Sequence, residues 1–215
     1  MITLEPVDRI ELTILVDNLT DPLLVDQEHV ARVNWPKALL GAIPRAGSRT
    51  SPEQGVPDAL IENRQPSFVL DGCALVTGEV DRTIEFETGF QGHEARRGGE
   101  WHPDPLILDD QALVVRVRDE GLLVLSGCGH AGIVNTVRYA QKLTGEQRIA
   151  AIVGGFHLSG PMFERIIDPT VEALGRLAPS LLVPAHCTGW KAVHRLAGHF
   201  PDAFVQCAVG TTIEL

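Results

Sequence analysis

From residue 122 onward the hydrophobic positions fall into short unbroken runs, and between the runs apolar residues recur at helical spacing. Leu122 to Leu125, Ala150 to Val153 and Leu181 to Val183 are bounded by Gly, Pro or polar residues, which predicts buried strands. Helices are expected from Ile133 to about Lys142, stopped by Thr144-Gly145, then from about Pro169 to Leu177 and from Trp190 to Ala197. Each of the three strands runs into a glycine- or proline-bearing turn that carries a histidine: His130, His157 and His186. Strands alternating with helices predict an α/β fold, and open α/β sheets place their chemistry at such strand ends.

The remainder of the chain is less regular. Residues 10 to 17 alternate and then become wholly apolar, which predicts a strand ending at Asp17-Asn18. Periodicity fails from 19 to 66. Within it, residues 41 to 57 are dense in Gly, Pro, Ser and Arg, so they read as a linker or as the scar of a missing block. Ser67 to Leu70 and Ala74 to Thr77 flank Asp71-Gly72, a hairpin signal. A polar loop from Thr83 to His102 carries Phe86, Phe90, His93 and Trp101 and is a candidate pocket rim. Ala112 to Arg118 predicts another strand, and Val209 to Leu215 the last.

A length of 215 residues with 44% hydrophobic content suits one sizeable domain spanning 1 to 215. The formal charge of -10, without a basic run, argues against a nucleic-acid partner. No signal peptide is evident, and no stretch has the length of a membrane span. Cys73, Cys128, Cys187 and Cys207 lack a disulfide-rich spacing, which suits a reducing, cytoplasmic setting.

Neutral imidazole is a common ligand for zinc and iron, and a metal site needs ligands converging from separate elements. Histidines at equivalent positions after three strands therefore make His130, His157 and His186 the candidate metal ligands. His29, His194 and His199 are assigned no chemistry. His93, with His102 on the same aromatic loop, is a candidate for substrate contact, as are Asp110 and Phe156. Cys128 and Cys187 are conceivable as thiolate ligands or nucleophiles, but adjacent residues such as His186 and Cys187 do not easily reach one ion from a tight turn, which favours packing roles.

With these residues in place, the chain resembles the metallo-β-lactamase superfamily, in the branch of the dihydropterin ribofuranosylaminobenzene-phosphate synthases. The resemblance rests on Ile14-Leu15-Val16-Asp17-Asn18, Thr77 to Val80, Pro105 with Asp109 to Leu113, Ser126 to Gly132, Gly154 to Leu158 and Pro184 to Gly189, and it is dense from residue 66 to 215. It implies an αββα sandwich of mixed sheets with outer helices. His130 and His186 then resemble late histidines of the two metal positions, and His157 stands near the place of a bridging acid. The superfamily's His-x-His-x-Asp-His signature is missing, so the sandwich is expected to be incomplete.

Three histidines suffice for one zinc, iron or manganese ion per chain rather than two. The expected activity is a metal-dependent hydrolase reaction on a small, phosphorylated or pterin-like substrate, by metal-activated water. The alternative is a non-catalytic remnant that binds a small ligand or a partner chain. A Cys-His nucleophilic enzyme is a third and weaker alternative. Lost strands expose sheet edges and apolar faces, so a homo-oligomer is expected.

Overall fold

The computed structural model describes residues 2–13, 64–91, 93–97 and 100–215. The strands are β1 (Glu11–Thr13), β2 (Ser67–Val69), β3 (Ala74–Val76), β4 (Glu94–Arg97), β5 (Glu100–Pro103), β6 (Ala112–Val117), β7 (Gly121–Ser126), β8 (Ile149–Gly155), β9 (Leu181–Ala185) and β10 (Thr212–Glu214). The helices are α1 (Ile133–Thr144), α2 (Pro161–Glu164), α3 (Ile167–Leu177) and α4 (Trp190–His199). Six strands form one mixed sheet in the order β2-β3-β6-β7-β8-β9, while β1 pairs with β10 and β4 with β5.

The apolar runs that predicted strands are buried along most of their length, Leu125 and Leu181 at their ends only partly, because both faces of the sheet are covered. Successive side chains of a strand point to opposite faces. Leu122 and Val124 of β7, with Val114 and Ile152, therefore pack under Val134 and Val137 of α1, Val171 and Leu174 of α3 and Leu196 of α4. Leu123, Val115, Ala151 and Val183 point the other way, toward Ile213, Cys207, Ile10 and Leu12. The described residues thus form helices, a six-stranded sheet and a two-stranded sheet, with no second helical layer among them. This is the mixed α/β architecture expected from the sequence.

Two expectations need amendment. The loop from 83 to 102 contains the β4–β5 hairpin, with Arg97 opposite Glu100. The intervening sequence, Gly98-Gly99, is a two-residue hairpin signal. The strand expected over 10 to 17 is seen as Glu11–Thr13, paired with β10. Its continuation and residues 41 to 57 lie outside the described residues.

Strand direction positions the site. β7, β8 and β9 run parallel and side by side, so their C-terminal ends share one edge of the sheet. β6 is antiparallel to β7 and therefore begins at that same edge.

Candidate metal centre

Each of the three parallel strands delivers side chains at its end: β7 gives Cys128 and His130, β8 gives Phe156 and His157, and β9 gives His186 and Cys187. The backbone must come close for this to happen. Gly154 has φ +123°, and a Cβ there would meet Ser126 O at 2.0 Å. A Cβ on Gly155 would lie 2.6 Å from both Cys187 Sγ and His186 Nε2, so this glycine leaves the room that those two groups occupy.

The tightest donor set is sulfur-rich. Cys128 Sγ lies 3.2 Å from His186 Nε2, and the Cys187 thiol donates to Cys128 O at 3.1 Å. One ligand atom from each of Cys128, His186 and Cys187 lies within 4.8 Å of the other two. His186 and Cys187 are adjacent in a 3₁₀ turn, His186–Thr188, and both still reach the cluster. That turn is fixed by Thr188 Oγ1, which donates to Ala185 O at 2.7 Å and accepts from the Phe156 amide at 3.3 Å.

His130 and His157 border this set. Their rings meet edge to face, 4.5 Å apart, and His157 also abuts Phe163 at 4.4 Å. His157 has the left-handed backbone φ of +47°, uncommon for a non-glycine residue. Its Nδ1 is buried with no hydrogen-bond partner among the described residues.

The charges are arranged accordingly. Hydrogen bonding with Cys187 above all, then with His130 and His186, holds the Cys128 thiol well below the ordinary range despite burial. The same Cys128 contact, with burial, pushes Cys187 up. Burial first, and then the charge of His130, lowers His157 to about 4, so it is neutral at pH 7. For His130, burial acts downward but is outweighed by the Cys128 hydrogen bond and the Asp110 charge, leaving it raised.

Asp110, at the start of β6, sits behind His130. Its Oδ2 accepts from the Ala131 amide at 2.8 Å, and its Oδ1 is 3.8 Å from His130 Nδ1. Burial raises the Asp110 carboxyl, opposed by His130 and the Ala131 amide. Arg82 donates to His130 O at 3.2 Å. Glu87 accepts from the Val134 and Asn135 amides at 2.9 and 2.7 Å, satisfying free N–H groups at the start of α1. Asn135 Oδ1 accepts from the Thr83 and Ile84 amides at 2.8 and 2.9 Å, which fastens the 79 to 91 segment to the helix.

A cavity of about 30 Å³ opens beside His130 and His157, walled by Phe86, Glu87, Phe156, Met162 and Phe163. Of the residues expected to contact substrate, Phe156 is 1% exposed and lines the cavity from the core. Asp110 backs His130 instead. His93 is not part of the cavity wall; its Nδ1 lies 3.0 Å from Asp104 O and 3.3 Å from Asp104 Oδ2.

No protein-family model matches the chain. Among curated proteins it is similar to the 7,8-dihydropterin-6-methyl-4-(beta-D-ribofuranosyl)-aminobenzene-5'-phosphate synthase of Methanocaldococcus jannaschii, with 35% identity over 107 residues, 50% of this chain and 36% of the synthase. An uncharacterised protein of the same archaeon is 31% identical over 137 residues, 64% of this chain and 48% of that protein. Among solved structures, a metal-dependent hydrolase of the beta-lactamase superfamily matches with a TM-score of 0.60 and 30% identity, over 73% of this chain and 58% of the hydrolase.

These likenesses bear out the resemblance read from the sequence. The chain has the β-lactamase-superfamily type of fold and is similar to the dihydropterin-synthase branch. It spans between 36% and 58% of the length of these relatives.

Proposed function

We propose that this chain is a metal-binding protein of the metallo-hydrolase type, holding one ion at the shared ends of β7, β8 and β9. The observation that carries the reading is the buried Nδ1 of His157, which has no hydrogen-bond partner among the described residues, beside His130, at the edge where His186 also emerges. A neutral imidazole nitrogen without a hydrogen bond is costly to bury and is satisfied by a metal ion. His186, which converges with Cys128 and Cys187, and His130 and His157, which border that set, are the candidate nitrogen donors in this reading, and the Asp110 carboxylate stands behind His130 as carboxylates commonly do behind metal-bound histidines.

A zinc, iron or manganese ion held there supplies Lewis-acid polarisation of a substrate oxygen or of water. The chain's own residues do the rest. Phe156, Phe163 and Met162 give the cavity an apolar wall, and Glu87 and Asn135 keep the His130 turn seated against α1. The substrate class is small and phosphorylated or pterin-like, in keeping with the similarity to the synthase. No nucleic acid or membrane surface is involved, and like chains associate. A cytoplasmic setting suits cysteines without a disulfide-rich spacing.

The second reading, a non-catalytic remnant that binds a ligand or partner chain, is favoured by one feature. The cavity's 30 Å³ holds about one water molecule, whereas small-molecule pockets run to roughly 300 Å³ or more. Assays of phosphomonoester and lactone hydrolysis with zinc, iron(II) or manganese(II) separate the two. Turnover that disappears in His130→Ala supports the enzyme, and bound metal without turnover supports the remnant.

A further inference from the structure

Resting on the reading that the chain holds an ion, we propose that Cys128 and Cys187 are direct ligands with His186, making a sulfur-rich site that takes a zinc-class ion in preference to manganese or magnesium. Three independent elements of geometry meet here. The two sulfurs and the imidazole lie within 4.8 Å of one another although Cys128 comes from the end of β7 and His186 and Cys187 from the end of β9. A tetrahedral zinc with Zn–S about 2.3 Å and Zn–N about 2.0–2.1 Å spaces its donors about 3.6 Å apart for S···N and about 3.8 Å for S···S. The Cys128 Sγ to His186 Nε2 distance of 3.2 Å therefore needs only a small opening to admit the ion.

The second element is Gly155. Its missing side chain leaves space in front of Cys187 Sγ and His186 Nε2 together, and any Cβ would fill it. The third is the environment: His130 and His157 border the cluster with their rings in contact, so a nitrogen donor for a fourth position is at hand. On binding, each thiol breaks its S–H bond and releases a proton to solvent as a metal–sulfur bond forms, with no change of oxidation state. Thiolate donors favour zinc-class over hard oxygen-seeking ions, which is the source of the selectivity.

Cobalt(II), a spectroscopically visible substitute for zinc, is titrated into the reduced 215-residue chain. The expected result is a near-ultraviolet sulfur-to-cobalt charge-transfer band that reaches its plateau at about one ion per chain. That band should fall to about half in Cys128→Ser and in Cys187→Ser and stay unchanged in Cys73→Ser. In the unmutated chain, zinc should protect Cys128 and Cys187 from iodoacetamide while Cys73 remains labelled, a readout that does not depend on the variants folding. Cobalt bound without the band, with both cysteines still alkylated, would overturn the sulfur ligation and leave the histidine reading standing. No binding of either ion would remove both.

Discussion

The six-stranded sheet has two halves that behave differently. From β2 to β7 the strands are antiparallel neighbours, and the two closest pairs in sequence, β2–β3 and β6–β7, turn back through short connections. From β7 to β9 they are parallel and return through helical crossovers. In the parallel half every strand ends at the same edge, so three turns that are far apart in sequence converge and bring His130, His157, His186 and two thiols together. In the antiparallel half successive ends alternate between edges, and the start of β6 contributes Asp110 while the segment after β3 contributes Glu87 to the cavity wall. Direction, more than composition, decides where chemistry accumulates.

The largest test of that contrast is in the core. Ile152, in the middle of β8, is fully buried; Ile152→Ala is expected to cost about 2–5 kcal/mol. Val69→Ala, on the edge strand β2 where Val69 is 8% exposed, should cost less. Urea midpoints at unchanged slope report both. Equal losses would mean that the two halves share the burden of stability.

Glu87 ties the antiparallel side to α1, and burial raises its carboxyl to about 7 against the two amide hydrogen bonds that lower it. An acid with a raised folded pKa contributes stability in full below its unfolded value near 4.5 and loses it as pH rises through about 7. The loss is of the order of 3 kcal/mol between those limits. The difference in stability between the wild type and Glu87→Gln should therefore change across pH 5 to 8 in the direction of a weakening wild type. A constant difference would show that Glu87 stays ionised throughout.

Asp110→Asn removes the acid that the antiparallel half places behind His130. Loss of such a carboxylate behind a metal-bound histidine typically lowers metal affinity about 10–100-fold, measurable by competition with a chelating dye. Unchanged affinity would detach Asp110 from the site. The smallest effect is expected at the surface: Arg195 Nε donates to Asp168 Oδ1 at 2.7 Å between α4 and α3, both side chains being at least half exposed. Arg195→Ala should shift stability by less than about 1 kcal/mol.

Much of this was legible in the chain itself. The strands around Val124, Ile152 and Leu182 announced themselves because a strand buried on both faces is apolar at every position. The helices starting at Ile133 and Trp190 did so through apolar spacing. The three histidines could be picked out because each follows such a strand, although sequence could not say that the strands would be neighbours.

Other features were hidden for physical reasons. Glu87 carries no local signal, because its partners, the amides of Val134 and Asn135, lie 47 and 48 residues away. Cys187 reads as packing because adjacent residues in a tight turn ordinarily point in different directions. The 3₁₀ geometry of His186–Thr188 and the bare Gly155 opposite it allow that arrangement. The β4–β5 hairpin was concealed in a polar segment whose only cue was Gly98-Gly99.

If converging parallel strand ends build a metal site, metal content reports it most directly. Elemental analysis of protein purified without chelator should give about one ion per chain in the wild type and a small residual fraction in His186→Ala. Metal-free wild-type protein that stays so after incubation with zinc, iron(II) or manganese(II) would contradict the account.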